Sequence, residues 1–453
     1  MTSKLHKPES LTEILGPQYI KSDAETLSAY AVDGVVPRAV VFPEDQRQVS
    51  EVVQLACKDK LALVPWGSGS KMALGNAPLR LDLVVCTRRL NKVIDLDTAN
   101  LTLTLQAGVR FKDIQYNLGE CFIPMSPPYS DLATLGGIIA ANSAGPTRLL
   151  YGLPRDLVLG VNYVAPNGEI VSTGGKTVKN VSGYDMCKLM IGSQGTLGIV
   201  CAMTLRLLPL PERLGTCLSA FATLTDASRF VDRIFETSLL PAAVEILNWR
   251  AYELLRPAVA VQLKTGGYAT AVAFEGFHEP VDRMASEISD MASESIAEKS
   301  ICLQGEEHRD FWNRHSNLVP ALSRRCPDLV CLKLNYPISN YPEVIQLATS
   351  LVSDNQIDHA LLAHAGTGIA WIHLLVDQRN AKATGRVVSV SERLLDRCQG
   401  LGGNLVIERA MPDLKGRLPI WGLSREDLVV MRRIKQQMDP LGLFCPGRFV
   451  GGI

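Results

Sequence analysis

Apolar and polar positions change period along the chain, and the changes divide it. Val40-Val41-Phe42 is a short apolar run, followed by Pro43-Glu44-Asp45. Proline suits the first turn of a helix and acids suit its positive end. Val49, Val52, Val53 and Ala56 then recur at helical spacing, and Leu61-Ala62-Leu63-Val64 is a second apolar run. Residues 38–64 therefore predict strand, helix, strand. Leu101-Thr102-Leu103-Thr104-Leu105 alternates as a half-buried strand does. A further strand is predicted over Ile199–Leu208, stopped by Pro209 and Pro211, and a boundary between two lobes is placed there.

The pattern differs over 212–400. Strands such as Ala271–Phe274 and Val330–Leu334 alternate with long polar helices near 281–298 and 384–399. Six of the seven histidines fall in this section. The tail carries a helix near 425–438 and closes on Pro446-Gly447-Arg448-Phe449. These patterns predict an α+β chain of two lobes: 1–211, 212–405, and a C-terminal segment, 406–453. At 453 residues the chain exceeds what one hydrophobic core usually serves.

Charge narrows the classes. Lys plus Arg equals Asp plus Glu, at 46 each, which gives no electrostatic case for nucleic acid or an anionic membrane. No apolar run reaches the ~18 residues of a membrane span. The N-terminus, Met1 to Glu9, lacks the apolar stretch of a secretory signal. Eleven cysteines occur without a CxxC pair, which argues against an iron–sulfur cluster or zinc knuckle in this chain. Reduced thiols in a cytoplasmic protein are expected.

Candidate chemistry begins with three runs of small residues. The first is Pro65-Trp66-Gly67-Ser68-Gly69-Ser70. The second is Thr134-Leu135-Gly136-Gly137, continuing through Asn142 to Gly145. The third is Gly192-Ser193-Gln194-Gly195-Thr196-Leu197-Gly198, leading into Ile199 and Val200. Such runs let backbone N–H groups turn toward an anion and let the anion approach closely. The first lacks the third glycine of a GxGxxG fingerprint, and no GK[ST] follows as in a P-loop.

In this order the three runs resemble the FAD-binding lobe of the vanillyl-alcohol oxidase and p-cresol methylhydroxylase superfamily. The resemblance covers 38–211 and extends to Pro446-Gly447-Arg448-Phe449. It implies a two-lobe fold of the p-cresol methylhydroxylase type, with FAD bound by 1–211 and an α+β substrate or cap domain over 212–405. The segment 406–453 would return to the FAD lobe. The FAD contacts it implies are Pro65, Gly67, Ser68, Gly69, Ser70, Thr134, Gly136, Gly137, Asn142, Gly145, Tyr151, Gly195, Gly198, Ile199, Val200 and Arg448. No histidine lies between His6 and His278, and Cys57, Cys86, Cys121, Cys187 and Cys201 lie outside the glycine runs, so the flavin is expected to be non-covalent.

The second lobe is similar to that of the glycolate and D-lactate dehydrogenase flavin subunits, which carry a metal motif of the form HAGDGNLH and a later GEHG segment. Here the first segment reads His364-Ala365-Gly366-Thr367-Gly368-Ile369-Ala370-Trp371. Its first histidine is kept, but its second falls on Trp371, whose indole cannot ligate a metal. Aligning Gly402-Gly403 places Glu408 on the later glutamate and Arg409 on the histidine. Two of four ligands are gone, so no bound metal is expected. A guanidinium can meet a carboxylate with two hydrogen bonds, and Arg409 is expected to stand in for the cation. His364 is the candidate base, and Lys333 sits where relatives place a substrate lysine.

Glu408-Arg409-Ala410 and the stretch Gly145 to Asp156 most resemble the smaller flavin subunit of glycolate dehydrogenase. That resemblance implies a 2-hydroxyacid substrate, an iron–sulfur partner that takes the electrons, and a second flavin subunit beside this one. It also implies a cytoplasmic chain that reaches a membrane only through a partner. Two alternatives stay open: a non-catalytic flavin-binding subunit of such a complex, and an autonomous flavin alcohol oxidase.

Overall fold

The computed structural model describes residues 8–176, 183–376, 381–422 and 426–453. The chain divides into two compact units. The first comprises Met1–Ser143, Leu153–Pro209 and Ser424–Ile453; the second comprises Ala144–Gly152 and Leu210–Leu423.

In the first unit, β1 (Ile20–Lys21), β2 (Ala39–Val41), β3 (Leu63–Trp66) and β4 (Leu83–Cys86) form a sheet in the order β1-β2-β4-β3. The pairs of β4 with β2 and β3 are parallel. The expected strand–helix–strand is β2, the helix Gln46–Asp59 and β3. Asp45 caps that helix by accepting a hydrogen bond from the Gln48 amide at 2.7 Å, which is why it starts just after Pro43-Glu44-Asp45. Val49, Val52, Val53 and Ala56 are buried against β2, β3 and β4.

A second, antiparallel sheet has the order β5-β6-β10-β8-β9. It contains β5 (Val93–Asp97), β6 (Thr102–Gln106), β8 (Val158–Val164), β9 (Ile170–Gly174) and β10 (Ile199–Arg206). The short pair β7 (Cys121–Phe122) and β11 (Leu208–Pro209) completes the unit's strands among the described residues. The C-terminal segment returns here. The Cys445 amide bonds the Leu63 carbonyl at 2.9 Å, and the Arg448 guanidinium bonds the carbonyls of Met72 and Leu74.

The second unit is built on one antiparallel eight-stranded sheet, ordered β15-β12-β14-β13-β17-β18-β16-β19. The strands are β12 (Arg213–Phe221), β13 (Ala243–Asn248), β14 (Tyr268–Gly276), β15 (Lys299–Gln304), β16 (Val330–Asn335), β17 (Asp358–His364), β18 (Ile369–Leu375) and β19 (Asn404–Arg409). Because side chains alternate across a strand, the sheet has two faces with separate cores. Val244, Ile246, Leu332, Leu334, Ala370, Ile372, Leu405 and Ile407 face one set of helices. Leu247, Ala271, Cys331 and Leu362 face another set, with Phe311 and Trp312 of the helix Gly305–Ser316.

Two differences from the sequence reading concern boundaries. The expected division between 405 and 406 falls inside β19, whose pairing with β16 keeps this stretch in the second unit until 423. Ala144–Gly152, expected in the flavin lobe, also belongs to the second unit. Its helical turn Arg148–Tyr151 packs on β13. A run of small residues signals tight turns in sequence, but not which core the chain is crossing.

Candidate functional sites

Candidate functional residues gather in each unit. In the first unit the glycine runs converge on a cleft lined by Pro65, Gly67, Ser68, Gly69, Ser70, Thr134, Gly137, Gly195 and Arg448. Lys71, Gln194 and Cys445 also line it and were not anticipated. Gly69 has φ +81°, and a Cβ there would come within 2.5 Å of the Trp66 ring. A Cβ on Gly67 would meet Thr134 Oγ1 at 2.2 Å. Both positions admit only glycine without local rearrangement. Thr134 caps the helix Leu135–Ala140, its hydroxyl accepting from the Gly137 amide at 3.3 Å.

The remaining expected contacts lie outside this lining. Gly136 packs on Ala107, where a Cβ would sit 2.6 Å from the Ala107 Cβ. Gly198 leads into Ile199 and Val200, which are buried in β10. Gly145 and Tyr151 lie in the second unit, where the Tyr151 hydroxyl donates to Glu275 Oε2 at 2.7 Å. Asn142 follows Ala141 of the cleft, with φ 43° and a buried Oδ1 that has no hydrogen-bond partner. A buried amide oxygen without a partner is costly, and a ligand that donates to it removes the cost.

Cys445 is the thiol at this cleft. Its Sγ faces the carbonyls of Gln194 and Gly195 at 3.6 Å, and burial pushes its pKa up to about 11. A thiol held protonated is a poor nucleophile, which fits a flavin bound without a covalent link.

In the second unit, chemistry-bearing side chains gather on one face of the sheet. Glu245 on β13 stands directly opposite His364 on β17. The Glu245 carboxylate is sealed from solvent and has an imidazole at each oxygen. His364 Nδ1 bonds Oε1, and His315 Nε2 bonds Oε2 at 3.1 Å. Burial raises the Glu245 pKa, but the two imidazoles outweigh burial and hold the carboxyl below its usual range. Burial holds His364 below the ordinary histidine value, so the pair is a carboxylate facing a neutral imidazole.

Trp371 adjoins this pair, and the sequence-predicted Glu408, Lys333 and Arg409 lie near it. The Trp371 ring lies 4.5 Å from the His364 ring, centroid to centroid. Trp371 Nε1 donates to Glu408 Oε2 at 3.4 Å. Lys333 faces Trp371 across the β16–β18 register, its Nζ 5.5 Å from the indole centroid. Between β16 and β19, Cys331 pairs with Arg409 and Leu332 with Ile407, leaving Glu408 as an extra residue. This bulge sets Glu408 and Arg409 together against Cys331, the strand position whose side chain shares the Lys333 face. Arg409 is half-buried. His373 is buried, with its Nδ1 3.3 Å from Cys331 Sγ. Among the described residues, no group of three or more His, Cys, Asp or Glu side chains is arranged to hold a metal ion.

Glu245, His315 and His308 were not anticipated. His308 and His315 lie seven residues apart on the buried face of Gly305–Ser316, a spacing visible in the sequence. Glu245 carries no local signal, because its neighbours read simply as an apolar strand.

Residues 210–449 match the family of FAD linked oxidases, C-terminal domain, and residues 37–174 match the FAD binding domain family. The chain belongs to the FAD-linked oxidases. FAD is its cofactor and the protein is an FAD-dependent oxidoreductase. The cleft of the first unit fits such a cofactor: glycines at 67 and 69 where a Cβ would clash, a basic Arg448 in the lining, and, next in sequence to the lining residue Ala141, the open Oδ1 of Asn142.

Relatives of this FAD-linked oxidase match it nearly end to end. Glycolate oxidase subunit GlcD of Bacillus subtilis is 27% identical, over 97% of this chain and 96% of that protein. D-lactate dehydrogenase of Archaeoglobus fulgidus is 28% identical, over 92% and 93%. D-2-hydroxyglutarate dehydrogenase of Xanthomonas citri is also 28% identical, over 91% and 89%. Among solved structures, p-cresol methylhydroxylase with substrate bound superposes with a TM-score of 0.77 at 18% identity, over 97% of this chain and 95% of that one. The fold is therefore of the p-cresol methylhydroxylase type. No helix of the described residues is long and apolar enough to cross a membrane.

Proposed function

We propose that this FAD-linked oxidase is a 2-hydroxyacid dehydrogenase, taking glycolate, D-lactate or a close analogue, and that it works in a complex whose iron–sulfur partner receives the electrons. The names of its relatives support the substrate class, and the word subunit in one of them supports a complex. The observation that carries the reading is the neutral His364 imidazole, held by buried Glu245 on the sheet face that also carries Lys333.

Oxidising a 2-hydroxyacid to a 2-oxoacid removes a hydride from C2 and a proton from the hydroxyl. Bound FAD supplies the acceptor for the hydride. His364 takes the hydroxyl proton at Nε2, the nitrogen turned away from Glu245. Lys333 and Arg409 meet the substrate carboxylate; Arg409 offers a fork and Lys333 a point charge. We propose that Trp371 and Arg409 stand at two metal-ligand positions of the motif this segment resembles, and that Lys333 and Arg409 do the work of the ion without one. Trp371 supports this, since its ring fills the space beside His364 and its N–H occupies Glu408.

The experiment is anaerobic mixing of the FAD-loaded protein with glycolate, D-lactate or D-2-hydroxyglutarate, following flavin absorbance at about 450 nm. Bleaching by at least one of them is expected. Retained FAD with no bleaching by any would instead support a non-catalytic flavin subunit.

A further inference from the structure

We propose that Glu245 is the positioning residue of this site: it fixes the His364 ring and its tautomer, so that Nε2 presents a lone pair. The inference rests on the functional reading above for the use made of that lone pair, though not for the geometry.

The backbone dictates the contact. Glu245 and His364 are register partners on antiparallel strands, so their side chains leave the same face side by side. An ionised carboxylate only accepts hydrogen bonds. Each imidazole nitrogen facing it must then carry the hydrogen: Nδ1 of His364 and Nε2 of His315. In a neutral imidazole the other nitrogen is the acceptor. For His364 that is Nε2. The Trp371 ring, 4.5 Å away, restricts rotation of the imidazole on its other side.

A purely structural role for the pair is a poor account of it. Burying a carboxylate is costly, and apolar residues of similar volume often stabilise as well or better. What the buried carboxylate adds, and a leucine would not, is a fixed direction for the imidazole. His315 supports it by occupying the second oxygen, so that Glu245 has one oxygen left for His364.

The test combines NMR of histidine-labelled protein with flavin reduction. In the parent, ¹⁵N spectra should show a histidine in the Nδ1–H form with a downfield Nδ1 proton, assigned by its disappearance in His364→Asn. Glu245→Leu removes the acceptor and should abolish that downfield signal. It should also slow flavin reduction by about tenfold to a hundredfold, with the substrate concentration for half-maximal rate changing much less. Glu245→Gln keeps an acceptor oxygen without the charge; it should restore part of the rate and move the signal upfield. If Glu245→Leu does not fold, Glu245→Gln carries the test on the same two readouts. An unchanged Nδ1–H signal and an unchanged rate in either folded variant would overturn the proposal. If no 2-hydroxyacid bleaches the parent flavin while Glu245→Leu still abolishes the signal, the positioning role stands and the substrate reading falls.

Discussion

Lys333 and Trp371 face each other across antiparallel strands, with the lysine ammonium 5.5 Å from the centre of the indole. A cation over an aromatic face is held by the ring quadrupole. The indole thus makes two contacts at this site: its ring lies 4.5 Å from the His364 ring, and it holds the Lys333 cation.

That arrangement sets an expectation for metal. With an indole N–H donating to Glu408, and a guanidinium next in sequence, a divalent ion would meet like charge in a half-buried setting. Elemental analysis of purified protein should find no stoichiometric zinc or manganese, and EDTA should leave flavin reduction unchanged. One bound metal per chain would overturn the metal-free reading.

Arg409→Ala should cut turnover of the 2-hydroxyacid by well over roughly tenfold, since losing a charged hydrogen-bond partner costs about 1.5–3 kcal/mol. Flavin content should not change, because Arg409 lies in the second unit. Steady-state kinetics at matched flavin loading checks this, and an unaltered rate would remove Arg409 from the site.

Gly69→Val should abolish FAD retention. The position has φ +81°, and a Cβ there would collide with Trp66. A branched side chain resists that backbone region and crowds the cleft. Circular dichroism establishes that the variant is folded; a normal flavin-to-protein ratio would then refute the cleft assignment. In the parent, acid precipitation should leave the flavin in the supernatant, whereas a yellow pellet would show a covalent link.

A buried histidine sets the response to acid. His308 bonds Thr216 Oγ1 at 2.8 Å, and burial pushes its pKa down to about 4 from an ordinary value near 6.5. A depressed folded-state value means that the unfolded chain protonates first as the pH falls. The contribution to stability is therefore complete above about 6.5 and is lost progressively down to about 4. The shift corresponds to about 3 kcal/mol. His359 and His364 act in the same direction. Denaturant titrations of the parent and His308→Gln across this range should show a shallower acid loss in the variant; parallel curves would contradict the assignment.

Much of this was written in local pattern. Val49, Val52, Val53 and Ala56 announce a helix because burial on one face imposes a 3.6-residue period. The cleft was legible in Gly67, Gly69 and Gly137 because close backbone approach tolerates few other residues. Tertiary structure alone decided the rest. Tyr151 reads as part of a flavin loop, yet its hydroxyl goes to Glu275 some 124 residues away. Cys445 is far from every glycine run in sequence and adjacent to one in space. Glu245 looks like a lone acid in an apolar strand, and only the pairing of β13 with β17 sets it against His364, 119 residues on. Local period follows from which face is buried, and so it is readable along the chain. Which strands become neighbours depends on the packing of the whole sheet, and the partner of a buried charge is chosen there.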